Sequence, residues 1–219
     1  LLKMKIILFT FMLLAALVVA DPEHPRWPTK FTAKFVEEFN YPVIGEYKTS
    51  GSFFYDAASG RYRVNRENGK GDRYCAINGL KILRNTPCDH IVDEHGDRYL
   101  YYPDLNECCY CCSAEHGCGL LRQDWVAGAT FEGEIEYEGY RAYKWDKKGL
   151  QSNLYIETMD PNPLNRVMLG MDQQPNDNQI FDPLSWSTEF DDDVFKVPSQ
   201  CKKSHSCSLG STCTAVRHA

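Results

Sequence analysis

The sequence predicts a mostly β protein: a curled antiparallel meander sheet, a half-open β-barrel, with few short helices and a disulfide-rich C-terminal tail. Three observations carry this. Apolar and polar residues alternate one by one through most of the chain, glycine- or proline-containing turns separate the alternating runs, and ten cysteines stand among 219 residues. With 43 % apolar and 13 % aromatic residues the chain can bury a core, which excludes a disordered segment.

The expected divisions are 1-20 signal peptide (removed), 21-200 antiparallel β domain and 201-219 cysteine-rich C-terminal tail. Lys3 and Lys5 precede an apolar run from Ile6 to Ala20, which ends Val18-Val19-Ala20 and meets Asp21-Pro22. Charged start, apolar middle and small-residue exit are the parts of a signal peptide cut after Ala20, with Met4 as initiator. A transmembrane helix would want about 20 apolar residues and no such exit. The expected location is therefore secreted, extracellular or lumenal, with no membrane span. The formal charge is −6, and removing two signal lysines makes the mature balance 22 − 30 = −8. That acidity argues against a nucleic-acid partner.

Ser52 to Asp56 and Arg61 to Arg66 flank Ala57-Ala58-Ser59-Gly60, a loop of hairpin length. On the return strand Tyr62 and Val64 alternate with Arg61, Arg63 and Asn65, so one face is buried and the other wet. A second hairpin turns around Asp93 to Asp97, between His90-Ile91-Val92 and Tyr99 to Tyr102. In the third, Phe131, Gly133, Ile135 and Tyr137 alternate with Glu132, Glu134 and Glu136, the turn is Glu138-Gly139, and the return runs through Tyr143 and Trp145. Strands from Leu150 to Met159 and Asn165 to Met171 join through Asp160-Pro161-Asn162-Pro163, where the prolines bar a continuous helix. Asp172 to Gln179 reads as a polar loop, Phe181 to Phe190 returns Trp186 to the body, and Phe195-Lys196-Val197-Pro198 reads as a last short strand before Cys201. The total is about eight to ten strands. Helix is expected only at Phe31 to Phe39 or residues 175-188, and Phe31-Ala33-Phe35 fits a first strand equally well.

The cysteines are Cys75 and Cys88 in the body, the cluster Cys108, Cys109, Cys111, Cys112 and Cys118, and Cys201, Cys207 and Cys213 in the tail. An even count in a secretory chain points to up to five disulfides, with connectivity open. If all pair within the chain, groups of two, five and three require at least one bridge from the tail to the cluster or body. The competing use is a zinc site of cluster thiolates with His116, which lacks paired C-x2-C knuckles.

Nothing in the sequence places a catalytic nucleophile: Asp89, His90 and His95 are close, but no G-x-S-x-G elbow exists. The row Glu132, Glu134, Glu136 is what strand alternation leaves on a solvated face, and Asp191-Asp192-Asp193 lacks the oxygen-ligand spacing of a calcium loop. No cofactor and no enzymatic activity are expected. The aromatic inventory instead suggests a sheet face that meets an apolar ligand or fills a core. Its candidates are Phe53, Tyr55, Tyr62, Val64, Tyr99, Tyr101, Phe131, Ile135, Tyr143, Trp145, Leu154, Ile156, Val167 and Leu169. A cavity of several hundred Å³ beneath the Tyr143 and Trp145 strand favours a carrier, and a filled interior favours a structural or interaction protein of the extracellular matrix or cell surface.

Gly51-Ser52-Phe53-Phe54-Tyr55-Asp56 with its charged return strand, Tyr99-Leu100-Tyr101-Tyr102 running into cysteines, and Ala129-Thr130-Phe131-Glu132-Gly133 leading to a Trp-bearing strand resemble the ependymin-related secreted proteins. The resemblance extends from about Phe31 to Cys201 and is best over Thr130 to Met171 and Phe195 to Cys201. It implies a half-open barrel like that of bacterial lipoprotein carriers, a hydrophobic cleft for lipid-like ligands, and often homodimer formation and calcium binding. The cysteine cluster, the tail and the absence of any N-x-S/T sequon depart from the family pattern.

Overall fold

A computed structural model describes residues 21–41, 45–149 and 152–218. The expected signal peptide lies outside the described residues. Eleven strands form one open sheet: β1 Lys30–Tyr41, β2 Gly45–Asp56, β3 Arg61–Arg66, β4 Cys88–Val92, β5 Arg98–Tyr102, β6 Glu107–Cys112, β7 Thr130–Tyr137, β8 Tyr140–Lys147, β9 Asn153–Thr158, β10 Met168–Gln173 and β11 Asp177–Ser187. Their order is β6-β5-β4-β3-β2-β1-β11-β10-β9-β8-β7, with antiparallel pairing throughout. Two meanders, β1 to β6 and β7 to β11, thus meet where β11 pairs with β1.

The first strand resolves the ambiguity at Phe31 to Phe39. Phe31, Ala33, Phe35, Glu37 and Phe39 are buried in alternation, a period that only a strand can place on one face. Pairing with β2 runs from Lys30 opposite Asp56 to Tyr41 opposite Gly45. Residues 175-188 hold a strand, not a helix, and the expected polar loop over Asp172 to Gln179 is mostly sheet. Gln179 lies opposite Glu37 in the β1–β11 pair, which draws a polar residue into the interior. Phe195 ends a short 3-10 helix, Asp192–Phe195, opened by Asp191 accepting from Asp193 N, in place of the expected strand.

Register defines the two faces. Ala33, Phe53, Val64, His90 and Leu100 stand side by side across β1 to β5. In the other half Glu37, Gln179, Met171, Tyr155, Trp145 and Phe131 form a row from β1 to β7. This concave face carries the main core, including Trp27, Phe31, Phe53, Tyr55, Trp145, Tyr155, Met168 and Phe181. Fully burying a side chain such as Phe31 contributes about 1.5–3 kcal/mol.

Two segments lie over that face. The chain before β1 inserts Trp27, which donates from its backbone N to Gln123 O at 2.9 Å, while Gln123 Nε2 donates back to Trp27 O at 2.8 Å. Near the other end α1, Arg73–Ile77, is capped by Asp72, whose Oδ1 accepts from Tyr74 N and Cys75 N. This helix is stapled to β4 by Cys75–Cys88, and Tyr102 Oη donates to Cys75 O.

All ten cysteines pair. Cys112–Cys118 closes within the cluster, and Cys108–Cys201, Cys109–Cys207 and Cys111–Cys213 bind the tail to β6. The parity requirement for a tail bridge is thus met three times over. The disulfides leave no thiolate for zinc, and His116 is exposed and hydrogen-bonded to Ser113. The tail ends in α2, Thr212–Arg217, whose Arg217 Nη1 donates to Tyr110 O and Cys111 O. Five disulfides fit an oxidising extracellular or lumenal compartment. Among the described residues no helix is long and apolar enough to cross a membrane.

Candidate functional site: a cavity on the concave face

The strand alternation that buries Phe53 and Tyr55 on β2 also buries Tyr62, Val64 and Arg66 on β3, and these side chains floor a cavity of about 390 Å³. Leu120 and Leu121 wall it at one end, where Tyr55 Oη donates to Leu121 O at 2.8 Å. Gln173, Asn176, Asp177 and Gln179 wall it at the other, around the β10–β11 turn. The volume falls in the range of small-molecule sites, about 300–1,000 Å³. A larger groove of about 980 Å³ opens on the convex side, between charged groups including Lys34, Arg63, Glu67, Asp89 and Asp182. Its mixed charge suits solvent, whereas the aromatic floor of the smaller cavity suits an apolar molecule.

The polar end is a buried charge network. Arg66 donates through Nε to Glu37 Oε2 at 2.5 Å and through Nη2 to Glu37 Oε1 at 2.9 Å, and Nη2 lies 3.5 Å from Asp72 Oδ2. Gln179 Nε2 also donates to Glu37, and His90 Nε2 lies 3.0 Å from Asp72 Oδ1. Burial opposes ionisation of Asp72, yet the His90 ring and Arg66 guanidinium outweigh it and hold the carboxyl well below its usual range. Burial, reinforced by the Glu37 charge, pushes Asp177 up to about 8.

Several residues expected on the inner face stand elsewhere. Phe53, Tyr55, Tyr62 and Val64 do line the cavity. Phe131, Tyr143 and Trp145 are on the concave face but belong to the packed core, with Trp145 Nε1 donating to Glu157 Oε1. Tyr99 and Tyr101 are on the convex face, because they stand in the rows of Ile91 and Asp89 and not of His90. Tyr99 packs against Tyr110 there. Ile135, Ile156 and Leu169 form a separate convex cluster with Ala142, and Leu154 lies opposite Asp146 and Asp172 on that same side. Val167 precedes β10 and is half-buried, outside both clusters.

Register irregularities explain two of these corrections. A bulge between Phe131 and Gly133 shifts the β7 phase, so Phe131 faces inward and Ile135 outward. Another between Met168 and Gly170 keeps Met168 and Met171 on the concave side and turns Leu169 away. The polar floor leaves a signal in the sequence: Glu37 is in phase with Phe35 and Phe39, and Arg66 with Tyr62 and Val64. A charged residue in phase with aromatics marks a buried ionic site. Asp89 and His90 point to opposite faces, with Asp89 paired to Arg63 at 2.5 Å, so they do not form a catalytic pair.

No family model and no curated protein matches the chain. Its fold is similar to an uncharacterised conserved protein from Thermus thermophilus, with TM-score 0.47 and 10 % identity over 80 % of this chain and 90 % of that one. It is also similar to the Pseudomonas aeruginosa MucA/MucB complex structure, with TM-score 0.42 and 12 % identity over 79 % of this chain and 57 % of that one. A putative outer membrane lipoprotein-sorting protein domain from Vibrio parahaemolyticus gives TM-score 0.37 and 7 % identity over 76 % and 89 % of the two chains.

Proposed function

We propose that this protein is a secreted, disulfide-stabilised carrier that binds a hydrophobic, lipid-like ligand in the concave face of its curled sheet. The observation that carries the reading is the cavity of about 390 Å³ floored by Phe53, Tyr55, Tyr62 and Val64. Burying such a ligand against these rings releases its apolar surface from water, at roughly 25 cal/mol per Å². The resemblance to ependymin-related proteins points the same way.

A second reading, an extracellular structural or interaction protein, is favoured by Trp27 and Trp125, which fill part of the same face. Native mass spectrometry with lipid extraction, followed by titration with fatty acids, separates the two. Co-purified lipid or saturable binding supports the carrier. A protein that carries no lipid and takes up none is the structural one.

A further inference from the structure

Apolar side chains stand in water together at one place on the molecule. Leu80, Leu83 and Leu209 are 68, 80 and 93 % exposed, three of the four most exposed large apolar side chains among the described residues. The first two belong to the 3-10 segment Asn78–Leu83 that follows α1, and the third to the tail. Asn78 joins the two segments: it is buried, its Oδ1 accepts from Ser208 N and Ser208 Oγ, and Ser208 Oγ accepts from Gly79 N. Gly79 and Leu80 both hold left-handed backbone, at φ 62° and 56°. For a leucine that conformation is unfavourable and persists only where the surroundings impose it. Scattered exposed leucines are ordinary, but a fixed group of them marks a surface that meets a partner.

Charge narrows what that partner is. The chain is acidic overall, with 30 Asp+Glu against 24 Lys+Arg. Residues 73–88 nevertheless carry Arg73, Lys81 and Arg84 and no acid, and residues 194–218 carry Lys196, Lys202, Lys203 and Arg217 and no acid. Lys81 pairs with Glu107 and Lys203 with Asp97, each at 2.8 Å, and Arg217 donates to backbone carbonyls. Arg73, Arg84 and Lys202 are exposed, and none of the three has a carboxylate partner among the described residues. Leucines set among unpaired cations fit a surface that is anionic at its face and apolar beneath, which is a bilayer containing anionic lipid. A polyanion such as a nucleic acid would engage the cations and leave the leucines in water.

We propose that the 3-10 segment and the tail together form a docking surface for an anionic lipid bilayer. Leu80, Leu83 and Leu209 enter the boundary between headgroups and acyl chains, and Arg73, Arg84 and Lys202 meet the headgroups. Both halves are held before contact: Cys109–Cys207 ties the tail to β6, and Asn78 Nδ2 donates to Cys109 Sγ, so little freedom is lost on docking. Arg73 and Tyr74 also line the concave cavity, so docking brings that end of the cavity to the lipid surface. The proposal goes beyond the carrier reading and stands without it, since it needs no ligand in the cavity.

Flotation of the full, disulfide-bonded chain with vesicles tests it, using equimolar phosphatidylcholine and phosphatidylserine against pure phosphatidylcholine. Binding is expected to be roughly tenfold or more tighter on the anionic vesicles and to fall when salt is raised from about 0.1 to 1 M. Arg84→Gln with Lys202→Gln should weaken it roughly twentyfold, near fivefold for each charge. Leu80→Asn with Leu209→Ser, where asparagine tolerates the left-handed backbone, should weaken it roughly tenfold. Leu164→Ser, exposed on the β9–β10 connection, should change nothing. Near-UV circular dichroism checks that the variants fold, and the two vesicle types with the unaltered protein decide the matter if one does not. No binding to anionic vesicles, or equal binding to both kinds, overturns the proposal. Anionic-vesicle binding that the leucine pair does not affect also overturns it, since cations alone would then be reading any acidic surface, a protein included.

Discussion

Trp27 Nε1 donates to Tyr155 Oη at 2.9 Å, a bond between the segment before β1 and the far half of the sheet, 128 residues apart in the chain. The same indole packs edge-on against Phe31, Tyr55 and Trp125, with ring centres 5.1 to 5.7 Å apart. One side of the concave face is thereby filled, and the cavity lies beside it, between β2–β3 and the β10–β11 turn. Core and cavity are neighbours on one surface, divided by a tryptophan.

Trp27→Ala should therefore cost about 3–5 kcal/mol of stability. It removes a residue that is 2 % exposed and leaves the Tyr155 hydroxyl, buried in the core, without this donor. Urea denaturation measures the loss, and a cost under about 1 kcal/mol would mean the segment does not hold the face closed.

Asp177 makes stability fall with rising pH. Its ordinary value is 3.8 and its folded value about 8, so between those limits the native state holds a proton that the unfolded chain has released. The stabilisation is complete below the lower value and is lost as pH approaches the upper one. Glu157, raised mainly by burial from 4.5 to about 7, acts in the same direction. Asp72, lowered, opposes them only on the acid side, where its contribution is lost as pH falls below 3.8. Asp177→Asn should flatten the decline and gain on the order of a few kcal/mol over the parent near pH 8. Urea midpoints across this range give the slope directly, and identical slopes in the two proteins would refute the assignment.

Arg166 and Glu157 form a second buried pair, 2.8 Å apart, with Arg166 also donating to Glu23 O and Asp160 O. Arg166→Met alone should cost about 3–5 kcal/mol, because it leaves the buried Glu157 carboxyl, Glu23 O and Asp160 O without their donor. Adding Glu157→Leu should recover part of that loss. A double-mutant cycle by chemical denaturation checks the recovery, and strictly additive costs would show that the two charges are not coupled.

Ile156→Ala provides a test of the face assignment. Ile156 packs on the convex side with Ala142 and Leu169, so its truncation should cost about 2–5 kcal/mol and leave ligand affinity unchanged. Val64→Ala, at the cavity floor, should alter both. A shift in affinity for folded Ile156→Ala would contradict the register.

Strand positions were legible because alternation survives in Tyr62, Val64 and Arg66 or in Tyr143 and Trp145, where one face is wet. The face was illegible wherever both sides are covered. Every residue of β4 is buried, and Tyr99-Leu100-Tyr101-Tyr102 offers rings to both sides, so composition alone does not say that Leu100 and Tyr102 point inward. Bulges in β7 and β10 reset the phase at points no apolar pattern marks. The polar floor needed long-range register to appear, since Glu37, Arg66 and Gln179 meet only when β1, β3 and β11 are in place.

The tail closes more than a set of disulfides. Tyr110 N donates to His205 O and Tyr110 O accepts from Cys207 N, so the tail meets β6 in a single parallel bridge between Tyr110 and Ser206. Three cystines fasten it there, and that rim of the sheet is occupied by the chain's own end. Among the described residues, β7 is the terminal strand at the opposite rim. Fibril growth by strand addition needs two free rims on every molecule. The cystines that hold the tail therefore place covalently fixed chain over the middle of one rim, where an incoming strand would have to pair.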